Sequence, residues 1–232
     1  LVRGHASFEQ GLFAESEEAL GKALTYSKLD KKTRRELRDK VAATVYKQGE
    51  QAKEQGDLTA AVGHWRRLAT VIPESNTRII AEYDAATLLM QMKDYDQAIE
   101  VLLHFREQYP EHKLTADIPS KLIVAYEDKG EWRKAAFELQ RIWNDGTDPE
   151  QQRIACYQSA EYFEKGGDLD NALVMYKRYA HSYKKPFDAA VEAHFKLNEI
   201  YAAQNDEEKR RFWLDKVITL HNKAGKDQTD RS

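Results

Sequence analysis

The chain has little of what most enzyme chemistry draws on. Its 232 residues include one cysteine, Cys156, so no disulfide can close within the chain and no cysteine-based metal site can form. Cys156 has no clear activating neighbour and reads as a buried small apolar residue. The histidines (His5, His64, His104, His112, His181, His194 and His221) contain no HExxH and no paired ligand spacing. His64 and His104 read as ordinary surface or half-buried residues. There is no Gly-rich phosphate loop; Gly166-Gly167 reads as a turn. Carboxylates are plentiful, but abundance alone does not mark a general acid–base pair. The expectation is a non-catalytic chain with no cofactor and no metal. Five prolines and eleven glycines stand mostly at turns, which argues against long disordered segments. No apolar run reaches the roughly 18 residues of a membrane span, so no membrane insertion is expected. A net charge of −3 makes no case for nucleic acid as a partner. The chain starts at Leu1 with no signal-like segment, and we read it as a processed or excised piece of a longer protein.

What is present is a recurrence. In Lys93–Pro110, KDYDQAIEVLLHFREQYP, Tyr95 is followed by the small Ala98, then by Leu102, Phe105 and a closing Pro110. Ala98, Leu102 and Phe105 share one helix face. A shift of 37 residues gives Gly56, Leu58, Ala61, Trp65, Leu68 and Pro73 on one side, and Gly130, Trp132, Ala135, Leu139 and Ile142 on the other. The next step gives Gly167, Leu169, Ala172, Tyr176 and Tyr179. A degraded copy follows at Asn205, Arg210, Leu214 and Val217, and an imperfect early one at Ala14, Ala19, Ala23 and Tyr26. Each copy has a second apolar stretch upstream of its turn, with a small residue (Gly49, Ala86, Ala160) where two helices would approach closely. The unit is therefore helix, turn, helix and a Pro-marked connection, and a fixed period of this kind signals a stacked array. A single pair this short cannot bury its apolar face alone, so stability must spread through neighbouring pairs.

These positions resemble the tetratricopeptide repeat over about residues 33 to 220, and more weakly over 1 to 30. Two features depart from that family: the period is 37 rather than its usual 34, and Glu82 and Pro119 stand where its early tryptophan is found. The longer period, with phrases such as REQYPEHK and KLIVAYEDKGEW, is similar to repeats in bacterial envelope proteins of the Tol-Pal coordinator and barrel-assembly lipoprotein type. The resemblance implies an all-α superhelical solenoid of stacked antiparallel helix pairs, about five to six units. Residues 1–30 would form an imperfect helical pair, 31–224 the array, and 225–232 a disordered tail. It also implies a periplasmic location, with the cytoplasm as the alternative.

In tetratricopeptide arrays the first helix of each pair lines the concave face. Stepping along the first helices by the period gives one column at Tyr46, Tyr83, Ser120, Tyr157 and Phe195. A second column runs through Glu50, Thr87, Val124, Glu161 and Glu199, with Glu54, Met90, Glu127, Asp128, Glu164 and Glu192 around them. Such a groove would be aromatic along one stripe and acidic beside it, fitted to a protein or a basic peptide. The other reading of the aromatic column is packing between neighbouring first helices, and the two are compatible. The Lys/Asn clamp used by chaperone adaptors for C-terminal carboxylates is missing from this column.

Three rival readings remain: a structural or self-associating segment, an enzyme whose catalytic domain lies elsewhere, and an RNA-binding repeat. The last would rest on YKRYAHSYKK at 176–185, whose tyrosines mostly coincide with repeat-core positions. The charge run KLDKKTRRELRDK at 28–40 reads as a solvated helix start, its cations interleaved by Asp30, Glu36 and Asp39. Ser75 to Thr77 offer caps for one helix, and Thr115 or Asp117 for another.

Overall fold

The computed structural model describes residues 1–224, so the expected tail at 225–232 lies outside the described residues. Those residues form twelve α-helices and contain no strand. They are α1 (Val2–Glu9), α2 (Phe13–Leu24), α3 (Lys31–Glu54), α4 (Leu58–Val71), α5 (Asn76–Gln91), α6 (Tyr95–Gln108), α7 (Ile118–Asp128), α8 (Trp132–Asp145), α9 (Pro149–Lys165), α10 (Leu169–Ser182), α11 (Phe187–Ala203) and α12 (Glu207–Lys223).

The chain divides into two compact units, Leu1–Ile118 and Pro119–Ser232. In the first, α1 to α6 pack each on the next, and α3 also touches α5. In the second, α8 to α12 pack in the same consecutive manner. Short turns between packed neighbours make each pair an antiparallel hairpin, so the fold is an all-α helical-repeat solenoid.

The period is written most plainly in the turns. Gly56, Lys93, Gly130, Gly167 and Asn205 all have positive φ. After each, the next amide reaches back five residues: Asp57 to Ala52, Asp94 to Leu89, Glu131 to Tyr126, Asp168 to Phe163 and Asp206 to Tyr201, all within 2.8–3.0 Å. This bond closes the first helix of each pair in the Schellman manner. The same acidic residue then opens the second helix. Asp57, Asp94, Asp168 and Asp206 each accept the backbone N–H three residues on, which satisfies a donor that the helix itself leaves without a partner.

The recurring small residues mark the tightest approaches. Ala61, Ala98, Ala135 and Ala172 are wholly buried, as are Leu102, Phe105, Tyr176 and Tyr179. A Cβ on Gly49 would lie 2.3 Å from the Trp65 indole nitrogen. Cys156 is buried, and burial pushes its thiol up to about 12.

Some local expectations needed adjusting. Thr115 does not cap a helix: it lies within a 3-10 turn, and its hydroxyl donates to the Tyr109 carbonyl at 2.6 Å. That turn spans Lys113–Asp117, and α7 follows directly at Ile118. Near the N-terminus the turn is made at Gly11, whose φ is positive, while Gly21 lies within α2.

Candidate functional site

In the first unit the helices α3 and α5 face one another across a cleft of about 430 Å³, with the α4 residue Trp65 among its lining residues. Tyr46 on α3 organises one wall. Its hydroxyl donates to Asp84 Oδ2 on α5 at 2.6 Å, and its ring stacks on Trp65 with centroids 5.9 Å apart. The Trp65 indole N–H in turn donates to the Tyr46 carbonyl at 3.2 Å. Gly49, one helical turn on from Tyr46, has no side chain to obstruct the indole. Burial, followed by the Asp84 carboxylate, pushes the Tyr46 phenol up from its ordinary value, so it remains a donor at neutral pH.

Glu50, Glu54, Asp84, Thr87, Leu88, Gln91 and Lys53 complete the lining. Glu50 also pairs with Lys47 at 2.5 Å. The structure thus brings Tyr46, Glu50 and Thr87 into one cleft. Met90 is half-buried and is not among its lining residues. Tyr83 is engaged elsewhere: its hydroxyl donates to Asp117 at 2.5 Å and its ring meets Phe105 edge-on at 5.8 Å.

The second unit repeats the chemistry with a different balance. Tyr157 is half-buried, with the rings of Tyr176 and Tyr179 at 5.8 and 5.0 Å. Burial, then Glu192 and Glu161, raises its phenol. Glu164 accepts from the Tyr176 hydroxyl at 2.8 Å and from Lys196 at 3.3 Å. Lys196 also pairs with Glu199 at 3.5 Å. The Glu161 residue is exposed as a whole, yet its carboxyl is crowded: desolvation first, and Glu192 next, raise it above the usual carboxylate range. Glu127 accepts the Tyr162 hydroxyl at 2.5 Å. Val124 and Phe195 present exposed apolar side chains, at 50% and 45%.

Three tyrosines of the aromatic column therefore pack within their own units, and two also hydrogen-bond carboxylates. Sequence reasoning missed Trp65, Asp84, Asp117, Tyr162 and Lys196 as members of these clusters. A signal for the carboxylate partners was available. The Tyr46–Asp84, Tyr83–Asp117 and Glu127–Tyr162 pairs are separated by 38, 34 and 35 residues, each close to one period.

Residues 81–112 match the tetratricopeptide repeat family model. That segment runs from α5 through α6 into the following loop. No curated protein matches the chain. Among solved structures, MamA is 18% identical over 75% of this chain and 95% of its own, with a TM-score of 0.41. A tetratricopeptide repeat protein from Parabacteroides merdae ATCC 43184 is 12% identical over 97% of this chain and 92% of its own, at 0.43. BtubC (BKLC) from P. vanneervenii is 14% identical over 77% and 76%, at 0.44. The family match supports a repeat protein of the tetratricopeptide type. The narrower likeness to the Tol-Pal coordinator and the barrel-assembly lipoprotein is not among these matches. Among the described residues, no helix is long and apolar enough to cross a membrane.

Proposed function

We propose that this chain is a non-catalytic scaffold for protein–protein interaction, and that the cleft between α3 and α5 receives a basic peptide or protein segment. One observation carries the reading: Glu50, Glu54 and Asp84 surround an aromatic wall made by Tyr46 and Trp65, with Lys53 as the one cation in the lining. A lysine or arginine stem can lie along the aromatic surface while its charged head meets the carboxylates. The Tyr46–Asp84 bond fixes the wall before a ligand arrives, which lowers the ordering cost of binding. In the second unit, Glu161 and Glu192 stand beside Tyr157, while Glu164 and Glu199 already hold Lys196.

The test is fluorescence anisotropy with an arginine-rich peptide, comparing wild type with Glu50→Gln/Glu54→Gln. Glu54 is exposed and Glu50 half-buried, and both substitutions keep the side-chain volume, so melting temperature should hold while affinity falls about tenfold. Equal affinity in both proteins would remove the cleft from the reading. Truncating Tyr157 is a poor test, because it would open a hole beside Tyr176 and Tyr179 and confound binding with stability.

By the likeness of the 37-residue period, we place the protein in a bacterial envelope assembly, in the periplasm. Fractionation of producing cells tests this placement, and recovery in the cytosol would reverse it. A second reading, self-association or stacking against further repeats, is favoured by the exposed Phe212 and Ile218 on α12, at 51% and 50%. Light scattering over a concentration series separates the two: a constant mass would count against self-association.

A further inference from the structure

Between residues 28 and 40 the sequence carries seven cations against three carboxylates, and the structure sorts them by face. Asp30 is consumed as the N-cap of α3, accepting the Thr33 amide at 2.9 Å and the Thr33 hydroxyl at 2.7 Å. Glu36 stands 3.9 Å from Lys32. Lys40 turns to Glu9 at 3.6 Å and lies over the Phe8 ring. That leaves Lys28, ahead of the helix, and Lys31, Arg34, Arg35 and Arg38, whose spacing of three, four and seven puts them on one helix face.

The four on the helix line a cavity of about 360 Å³, shared with Glu74, Ser75 and Asn76 at the start of α5. Arg34 is fixed in the wall by the Leu24 and Tyr26 carbonyls at 3.1 and 3.2 Å. Among the described residues, the side chains of Lys31, Arg35 and Arg38 take part in no ion pair or hydrogen bond. Asp39 and Glu74 also line the cavity, which leaves it net positive. The first turn of α3 holds no acidic residue, although a helix N-terminus favours carboxylates and disfavours cations. Lys31 therefore stands unfavourably at the positive end of its own helix, and an anion bound beside it would offset that charge.

We propose that this cleft is an oxyanion site that takes a carboxylate- or phosphate-bearing peptide segment. Guanidinium groups suit both oxyanions, because their planar forks donate two parallel hydrogen bonds. The cavity is large enough to admit side chains of a peptide as well as one anion. Its charge is opposite to that of the cleft between α3 and α5, so the two sites select different segments.

The experiment titrates the full chain with fluorescent hexaglutamate and phosphoserine peptides, with inorganic phosphate as competitor, for wild type and Arg35→Gln/Arg38→Gln. Both arginines are exposed, so the variant should melt no lower than wild type. The expected result is binding of one or both peptides that weakens about tenfold or more in the variant. Tighter binding of the phosphoserine peptide, with competition by phosphate, would identify phosphate as the preferred group; tighter hexaglutamate binding would identify carboxylate. Equal affinity in both proteins would overturn the proposal. So would binding of phosphatidylserine vesicles without either peptide.

Discussion

From Val41 to Ala52 helix α3 buries seven residues, whereas from Lys31 to Lys40 it buries only Leu37. The C-terminal half is clamped by α2, α4 and α5, and its residues are chosen for fit. The N-terminal half is tied down at Arg34, Leu37 and Lys40, and its other positions are free to carry charge. One element thus supplies both candidate sites: an aromatic and acidic wall where packing fixes geometry, and a basic stripe where packing imposes little. The contrast teaches that residues in the two halves answer to different constraints, so substitutions in each should be felt in different measurements.

The sharpest way to break the comparison is Gly49→Ala. The new methyl would collide with the Trp65 ring, which is 3% exposed and bonded to the Tyr46 carbonyl. Overpacking should outweigh the gain in helix propensity, for a net loss of about 1–2 kcal/mol in denaturant unfolding. An unchanged midpoint would mean that the packed half tolerates volume as freely as the charged half.

A smaller effect is expected at Glu17. Arg67 on α4 grips it through two hydrogen bonds of 2.6 and 2.7 Å, and Gln48 on α3 adds a third at 2.6 Å, so three helices meet at one carboxylate. Burial opposes ionisation, but Arg67 and Gln48 outweigh it and hold Glu17 below the usual carboxylate range. A depressed folded pKa means that the stabilisation is complete above the unfolded value and lost as pH falls through the folded one. Glu17→Gln should therefore cost about 1 kcal/mol at neutral pH. The gap between wild type and variant should close as melts are repeated from about pH 5 downward. A gap that stays constant in acid would assign the loss to packing.

The smallest effect lies in the charged half. Lys31→Glu replaces a cation with an anion at the positive end of α3 and should stabilise it by about 0.3–1 kcal/mol. The same substitution should weaken hexaglutamate binding. If stability falls instead, the N-terminal half depends on contacts that its exposure does not suggest.

The parts of the fold fixed by short-range rules were legible in the sequence. Gly56, Gly130 and Gly167 announce left-handed turns by residue type, and the aspartates after Gly56 and Gly167 announce caps. Lys93 announces no such turn by its residue type, although Asp94 after it announces the cap; its place one period from Gly56 and Gly130 marks it as the same turn. The site was legible as a set of positions but not as a set of contacts. Tyr46 and Tyr83 were found on the column, yet their partners Asp84 and Asp117 were not, because the direction of a phenol depends on how its helix lies against the neighbouring helix or turn. Trp65 escaped for a similar reason. It reads as one large residue in a second helix, and only the bare backbone of Gly49 brings its ring against α3. The charge run was legible as charge; which carboxylates it spends on its own cap and helix face became clear only in three dimensions.

The turns carry a consequence of another kind. Gly56 and Lys93 sit in the same backbone conformation, followed by the same reach-back bond and the same aspartate cap. A genetic crossover between these two points would excise one repeat and rejoin the chain through a turn already competent to close one helix and open the next. Repeat number is thereby a heritable variable separate from repeat sequence. A lineage can lengthen or shorten the array without inventing a new junction, and can then alter the charge of individual helices one at a time.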